Sequence, residues 1–184
     1  MQPTPSPLVL TLKLDDTSFN YLDRLRQKYF PPQRNFLKAH ITLFHALPSS
    51  QEASIYQTLQ EFCSSTSLLH LLFPQLRYLG RGVAVEVQCP ELKQLRLRLA
   101  QTWEMWLSPQ DRQGYRPHVT IQNKVMPDEA QQLYNQLVSE WKPFNGFGEG
   151  LMLWHYQNGP WSLVREFSFM QNESELNISA PIRK

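Results

Sequence analysis

His40-Ile41-Thr42-Leu43 and His118-Val119-Thr120-Ile121 are one tetrapeptide written twice: histidine, apolar, threonine, apolar. Side chains alternate faces along a β-strand, so His and Thr two places apart point the same way. The apolar residues between them point into a core. Two such strands facing each other set two imidazoles and two hydroxyls around one small cavity. That combination suits an anionic, phosphate-like group that needs one proton donor and one proton acceptor. Two of only five histidines in the chain open this pattern, which separates it from a lone histidine on a half-buried strand.

Working outward, the repeat is larger than four residues. Leu8 to Leu14 (LVLTLKL) reads as a strand, and Asp16 or Thr17 is the expected cap of a helix over 18–29, stopped by Pro31-Pro32. Phe19, Leu22, Leu25 and Tyr29 fall on one face of that helix. The first histidine strand spans 36–45, a helix follows over 52–63, and 68–79 is extended with a break near Pro74. The order then recurs. A strand covers 82–88. A helix covers 91–107, with Leu92, Leu95, Leu99, Trp103 and Trp106 as a core stripe. The second histidine strand covers 115–123, and a helix opened by Pro127-Asp128-Glu129 runs to about Trp141. A glycine-rich turn over 146–150 precedes a hairpin of 151–156 and 161–169 around Asn158-Gly159. His40 and His118 are 78 residues apart, and Pro48 and Pro127 are 79 apart. Each half reads strand, helix, histidine strand, helix, strand.

Composition sets the bounds. At 184 residues the chain fits one compact domain or two small lobes sharing a core. Hydrophobic content of 41% and aromatic content of 12% are ordinary for a globular protein. A net charge of +2 is too small to argue for a nucleic-acid coat and compatible with a local basic patch. Cys63 and Cys89 have no metal-type spacing and read as free thiols in a reducing compartment, with a single disulfide as the alternative. No signal peptide is read at the N-terminus, and no apolar run approaches the roughly 20 residues of a membrane span. The expectation is a soluble, cytoplasmic, monomeric protein: a flexible segment 1–7, one bilobal domain 8–170 with halves near 8–80 and 81–170, and a polar tail 171–184.

With HITL at 40–43, HVTI at 118–121, PPQRNFLKAH before the first and GYRPH before the second, the chain resembles the two-histidine phosphoesterase superfamily. The likeness is to its bacterial 2'-5' RNA ligase and cyclic phosphodiesterase branch, and it extends in element order over about 8–170. The resemblance implies a bilobal α+β fold, with pseudo-two-fold duplicated antiparallel sheets around a central cleft and helices outside. It implies no metal and no cofactor. His40 and His118 are then the catalytic pair, and Thr42 and Thr120 hold the non-bridging phosphate oxygens. Histidine, with an ordinary pKa of about 6.5, suits both base and acid near neutrality. Many relatives carry a basic or aromatic residue five places after each motif histidine; here those positions are His45 and Asn123. The third phosphate contact therefore falls to Lys124, Arg116 or a backbone amide.

Phe44 and Gln122, at the next same-face positions, are candidates for the base-binding end, with core packing the alternative for Phe44. Trp154 and Tyr156 share a face on a late strand and could stack a nucleobase, or pack the sheet. Arg34, Lys38, Arg116 and Lys124 flank the motifs as attractors of phosphate or as solvated cations. His45 reads as a turn residue, and His70 and His155 have no motif. No HxH, HExxH or Asp-rich spacing supports a metal site. The leading function is a phosphodiesterase acting on a 2',3'-cyclic phosphate or 2'-5' phosphodiester of an RNA end or small nucleotide, with possible 2'-5' RNA ligation. The alternative is a non-catalytic nucleotide- or RNA-binding module of the same fold.

Overall fold

A computed structural model describes residues 6–170. The expectations for 1–5 and 171–184 lie outside the described residues; Ser6 and Pro7 precede the first strand. The elements follow the duplicated order: β1 (Leu8–Leu14), α1 (Asp16–Tyr29), β2 (Ile41–Leu47), α2 (Glu52–Cys63), β3 (Leu69–Phe73) and β4 (Leu76–Tyr78). Then come β5 (Val83–Glu86), α3 (Pro90–Thr102), β6 (His118–Gln122), α4 (Pro127–Glu140), β7 (Phe144–Tyr156) and β8 (Trp161–Ser168).

The fold is α+β, with two antiparallel sheets and helices outside. One sheet runs β2-β1-β7-β3, with β8 also on β7; the other runs β4-β5-β6. Sheets and sequence halves divide the chain differently. The first half supplies β4 to pair with β5, and the second half supplies β7 to pair with β1. Each half therefore completes the other's sheet. The helices tie the halves further: α1 lies on β6, α2 on β7 and β8, and α4 on β4 and β5. One apolar core runs through both sheets, from Leu8, Ile41 and Leu153 to Val83, Val119 and Ile121.

Two local readings change. The cap of α1 is Asp15, one residue before the expected pair: its carboxylate accepts from the Ser18 amide at 2.9 Å and from the Phe147 amide at 2.7 Å. It thus closes the helix start and fastens it to β7 at once. The glycine-rich stretch 146–150 is not a turn but lies inside β7. A Cβ at Gly150 would collide with the Phe167 carbonyl on β8, so close strand approach selects glycine there.

The motif strands begin later than the apolar pattern suggests, at Ile41 and at His118. The alternation holds through the motif: Thr42 and Thr120 are half-buried between buried Ile41 and Leu43, and Val119 and Ile121. It then fails in both strands at the same place. On β2, Thr42 pairs Thr11 while Phe44 pairs Leu10, so Leu43 is an extra residue. On β6, Thr120 pairs Ala84 while Gln122 pairs Val83, so Ile121 is extra. A bulge at motif position four turns the next side chain inward.

Candidate active site

The two histidines meet across a cavity of about 500 Å³ lined from both sheets. His40, Thr42 and His45 come from one side, and Arg77, His118 and Thr120 from the other. Each imidazole is fixed in the same way. His40 Nδ1 lies 2.7 Å from the Lys38 carbonyl, and His118 Nδ1 lies 2.8 Å from the Arg116 carbonyl. A carbonyl oxygen only accepts, so Nδ1 must carry the proton and Nε2 keeps its lone pair. The same upstream contact thereby holds both rings in one tautomer. Neither threonine hydroxyl is taken by another described residue, which leaves both free to donate.

The cavity is electropositive, and its His40, Thr42, His118 and Thr120 are half-buried. Burial pushes the His40 pKa down to about 4; Arg26, His118 and His45 add to the fall, against the Lys38 carbonyl, which raises it. His118 also falls, through burial first, then Arg77 and His45. The Arg116 carbonyl and Glu86 oppose that fall. An anion in the cavity would reverse the charge balance that keeps both rings neutral.

Two buried arginines support the motif strands from behind. Arg26 of α1, 4% exposed, donates from Nε to Asn35 Oδ1 and to the Leu37 carbonyl, both at 2.9 Å. It donates from Nη1 to the Thr120 carbonyl at 2.8 Å. One side chain thus links β6 to the segment that leads into His40. Arg96 of α3, 7% exposed, donates from Nε to the Leu43 carbonyl at 3.2 Å and from Nη2 to the Asp111 carbonyl. The Leu43 and Thr120 carbonyls lie at or beside the two bulges, where the strand ladder is interrupted. Each guanidinium also stacks on an aromatic ring: Arg26 over Phe30 and Arg96 over Phe44, both at 4.1 Å.

His45 belongs to the cavity rather than to a turn. It sits in β2 with Nδ1 3.0 Å from Asp111 Oδ1. Asp111 is buried and also accepts from the His45 and Ala46 amides and from the Ser108 hydroxyl. Burial alone would raise the Asp111 pKa, but these hydrogen bonds more than offset it and hold the carboxyl below its ordinary value.

A family model, the 2'-5' RNA ligase superfamily, matches residues 14–160. The chain belongs to the 2'-5' RNA ligase superfamily. No curated protein sequence matches it. Among solved structures, TT0787 of Thermus thermophilus is similar with a TM-score of 0.66 at 14% identity, covering 91% of this chain and 100% of that one. LigT of E. coli complexed with 3'-AMP gives 0.58 at 16% identity, covering 91% and 99%. LigT complexed with NADP+ gives 0.58 at 16%, covering 92% and 100%. These likenesses show that the chain shares the fold of TT0787 and LigT.

Within this superfamily fold, the sequence candidates separate. His40, Thr42, Arg116, His118 and Thr120 line one cavity. Phe44 does not: the bulge after Thr42 sends it fully into the core, edge-on to Trp103 with centroids 5.2 Å apart. Gln122 is likewise turned inward, and its Oε1 is buried without a partner among the described residues. Lys124 lies in a neighbouring groove, beyond Asn123, which does line the cavity. Tyr156 lies at the far end of β7 beside Ser49 and His155. Trp154 lines an apolar pocket of about 340 Å³ that shares His40 and Trp161 with the cavity, and its Nε1 donates to Thr11 Oγ1 at 2.9 Å.

Four residues escaped the sequence reading. Trp161 packs on the His40 ring at 4.8 Å between centroids. Arg77, on the strand exchanged into the second sheet, faces the same cavity. Arg26 and Arg96 left a signal in the pattern: Arg26 falls four places after Leu22, and Arg96 sits inside the Leu92, Leu95, Leu99 stripe. A cation on the apolar face of a helix needs buried acceptors. Among the described residues, no group of three His, Cys, Asp or Glu could hold a metal ion, and no helix is long and apolar enough to cross a membrane.

Proposed function

We propose that the protein is a metal-independent phosphodiesterase that acts on a 2',3'-cyclic phosphate or 2'-5' phosphodiester of RNA or nucleotides by paired-histidine acid–base catalysis. The observation that carries this reading is the pair of imidazoles locked through Nδ1 to the carbonyl two residues upstream, each with Nε2 unprotonated and both on one cavity with two free threonine hydroxyls. Solved LigT complexes with 3'-AMP and NADP+ support a nucleotide ligand for this fold.

For a cyclic phosphate, the neutral histidine takes a proton from water as its oxygen bonds to phosphorus. The protonated histidine gives a proton to the leaving ribose oxygen as that P–O bond breaks. The pair ends with its proton moved from one ring to the other. His40 is the base, because its surroundings strip it of a proton most strongly. His118 is the acid: burial lowers its proton affinity too, and the Arg116 carbonyl and Glu86, its register partner on β5, oppose that fall. Thr42, Thr120 and the Arg77 guanidinium hold the charge that grows on the phosphorane oxygens. With a 5'-hydroxyl in place of water, the same step joins a 2'-5' bond as the ribose 3'-oxygen leaves, but in water hydrolysis dominates. The protein works as a cytoplasmic monomer.

The test is a panel of 2',3'-cyclic nucleotides, RNAs with cyclic ends and 2'-5' dinucleotides, with product regiochemistry read by NMR and with exhaustive chelation as a control. Wild type turns over at least one member after chelation, and His40→Ala and His118→Ala do not. Unchanged turnover in either variant ends the acid–base reading. Nucleotide binding by all three proteins with turnover by none makes the chain a binding module.

A further inference from the structure

A second groove, of about 570 Å³, starts one residue beyond the cavity: Asn123 lines the cavity and Lys124 lines the groove. Consecutive Cα atoms are only about 3.8 Å apart, so the two are contiguous along the chain. Lys28, Arg34, Arg81 and Lys124 surround the groove, and its one carboxylate is Glu129. All four cations are exposed, and none forms an ion pair with another described residue. The whole chain carries only 18 basic against 16 acidic side chains. A four-to-one local excess is therefore a concentration, not a reflection of composition. Like charges gathered on one surface repel, and a bound anion removes that cost.

The groove wall is built rather than incidental. Arg34 Nη1 donates to the Lys124 carbonyl at 3.3 Å, and Arg81 Nε donates to the Val125 carbonyl at 3.2 Å. Two guanidiniums from distant parts of the chain thus clamp consecutive carbonyls of one turn. Lys124, at φ 63°, stands between them in the left-handed region. Arg81 reaches the turn because Gly82 lets the strands close: a Cβ there would collide with the Gln122 carbonyl. Each guanidinium has five N–H donors and uses one here, so the rest of each fork stays free for phosphate oxygens.

We infer that this groove is a backbone track for a single-stranded polynucleotide whose reacting phosphate lies between His40 and His118. The inference rests on the phosphodiester reading of the cavity and chooses between its two substrate classes: an RNA strand, not a mononucleotide. Spaced cations along one groove recognise a repeating phosphate, independent of sequence.

The test measures binding of a fluorescent RNA of roughly ten nucleotides across a salt series, beside a dinucleotide, inorganic phosphate and anionic phospholipid vesicles. The RNA should bind more tightly than the dinucleotide. Its log K should fall with log salt, and the slope should shrink by about 0.7 for each cation removed in Lys28→Gln and Lys124→Asn. Each substitution should weaken RNA binding up to about fivefold at low salt. Asparagine tolerates the left-handed backbone at 124, and circular dichroism of both variants checks folding. Equal affinity for RNA and dinucleotide, a salt slope unmoved by both substitutions, or vesicle binding without RNA binding each overturns the inference. RNA binding with these slopes but no turnover of any phosphodiester leaves the groove standing and removes the catalytic reading. Dinucleotide turnover without preference for RNA does the opposite.

Discussion

His40 packs against the Trp161 ring with the Arg26 charge close by, whereas His118 stands opposite Glu86 on β5 and near Arg77. Both are held by a carbonyl two residues upstream. The chain therefore duplicates the part that fixes tautomer and direction, and varies the part that fixes proton affinity. A pair sharing one proton must be unequal, because two identical rings would divide the proton at random between base and acid. In the proposed mechanism, the difference between the two strands is what assigns the roles.

The largest effect that could break this comparison is on the rings themselves. His40→Ala and His118→Ala should each lower kcat by about 10²- to 10⁴-fold. The double variant should lose little more, since acid and base act as one unit. Additive losses, measured by single-turnover kinetics, would mean the two rings do not share one proton cycle.

The buried arginines come next, and they sharpen the comparison because they are not equivalent. Arg26 serves both motifs, through the Thr120 carbonyl and through Leu37 and Asn35 ahead of His40. Arg96 serves the Leu43 carbonyl and the Asp111 loop. Arg26→Met keeps the length and removes donors from three half-buried acceptors, which should cost about 3 kcal/mol in urea unfolding. Arg96→Met should cost less, because it orphans fewer. Equal losses would show that the arginines act only as packing on Phe30 and Phe44.

Thr42→Val and Thr120→Val preserve strand shape and volume while removing one donor each. Each should lower kcat/KM by about tenfold to a hundredfold, the worth of a hydrogen bond to a charged oxygen. The melting temperature should barely move. A threonine whose replacement changes stability and not turnover is a strand residue only.

How much of this was legible in the sequence depends on which period was being read. The period-two pattern of β2 and β6 put His40, Thr42, His118 and Thr120 on one cavity, because alternation survives as far as motif position four. It misplaced Phe44 and Gln122 because bulges at Leu43 and Ile121 reset the alternation, and neither bulge is marked by a glycine. Element order was legible, but sheet membership was not: the boundary between halves near residue 80 cuts the β4–β5 hairpin, whose turn over Leu79–Gly82 carries Gly80 at positive φ, and nothing local tells β7 to join β1. The glycines at 146–150 read as a turn because close strand approach and tight turning select the same residue. Trp161 and Arg77 sit on the outer strands of local hairpins, and they reach the cavity only because β7 joins β1 and β5 joins β6, pairings between elements distant in sequence.

The smallest effect is a proton count, and it tests the inequality of the rings directly. His40 moves from its ordinary 6.5 down to about 4 on folding. Between those values the unfolded chain binds a proton that the folded chain does not. Stability should therefore fall as pH drops from about 6.5 to about 4, and His40→Gln should remove that part of the slope. Inorganic phosphate in the cavity has the opposite sign. Its charge favours the imidazolium, so in the same pH window binding should take up protons and tighten as pH falls. Titration calorimetry in buffers of different ionisation heat measures the uptake. His40→Gln should reduce it more than His118→Gln, because the ring that folding has emptied most has most to regain. If the two variants lose equal uptake, the surroundings of the two histidines do not distinguish them, and the assignment of His40 as base falls with that difference.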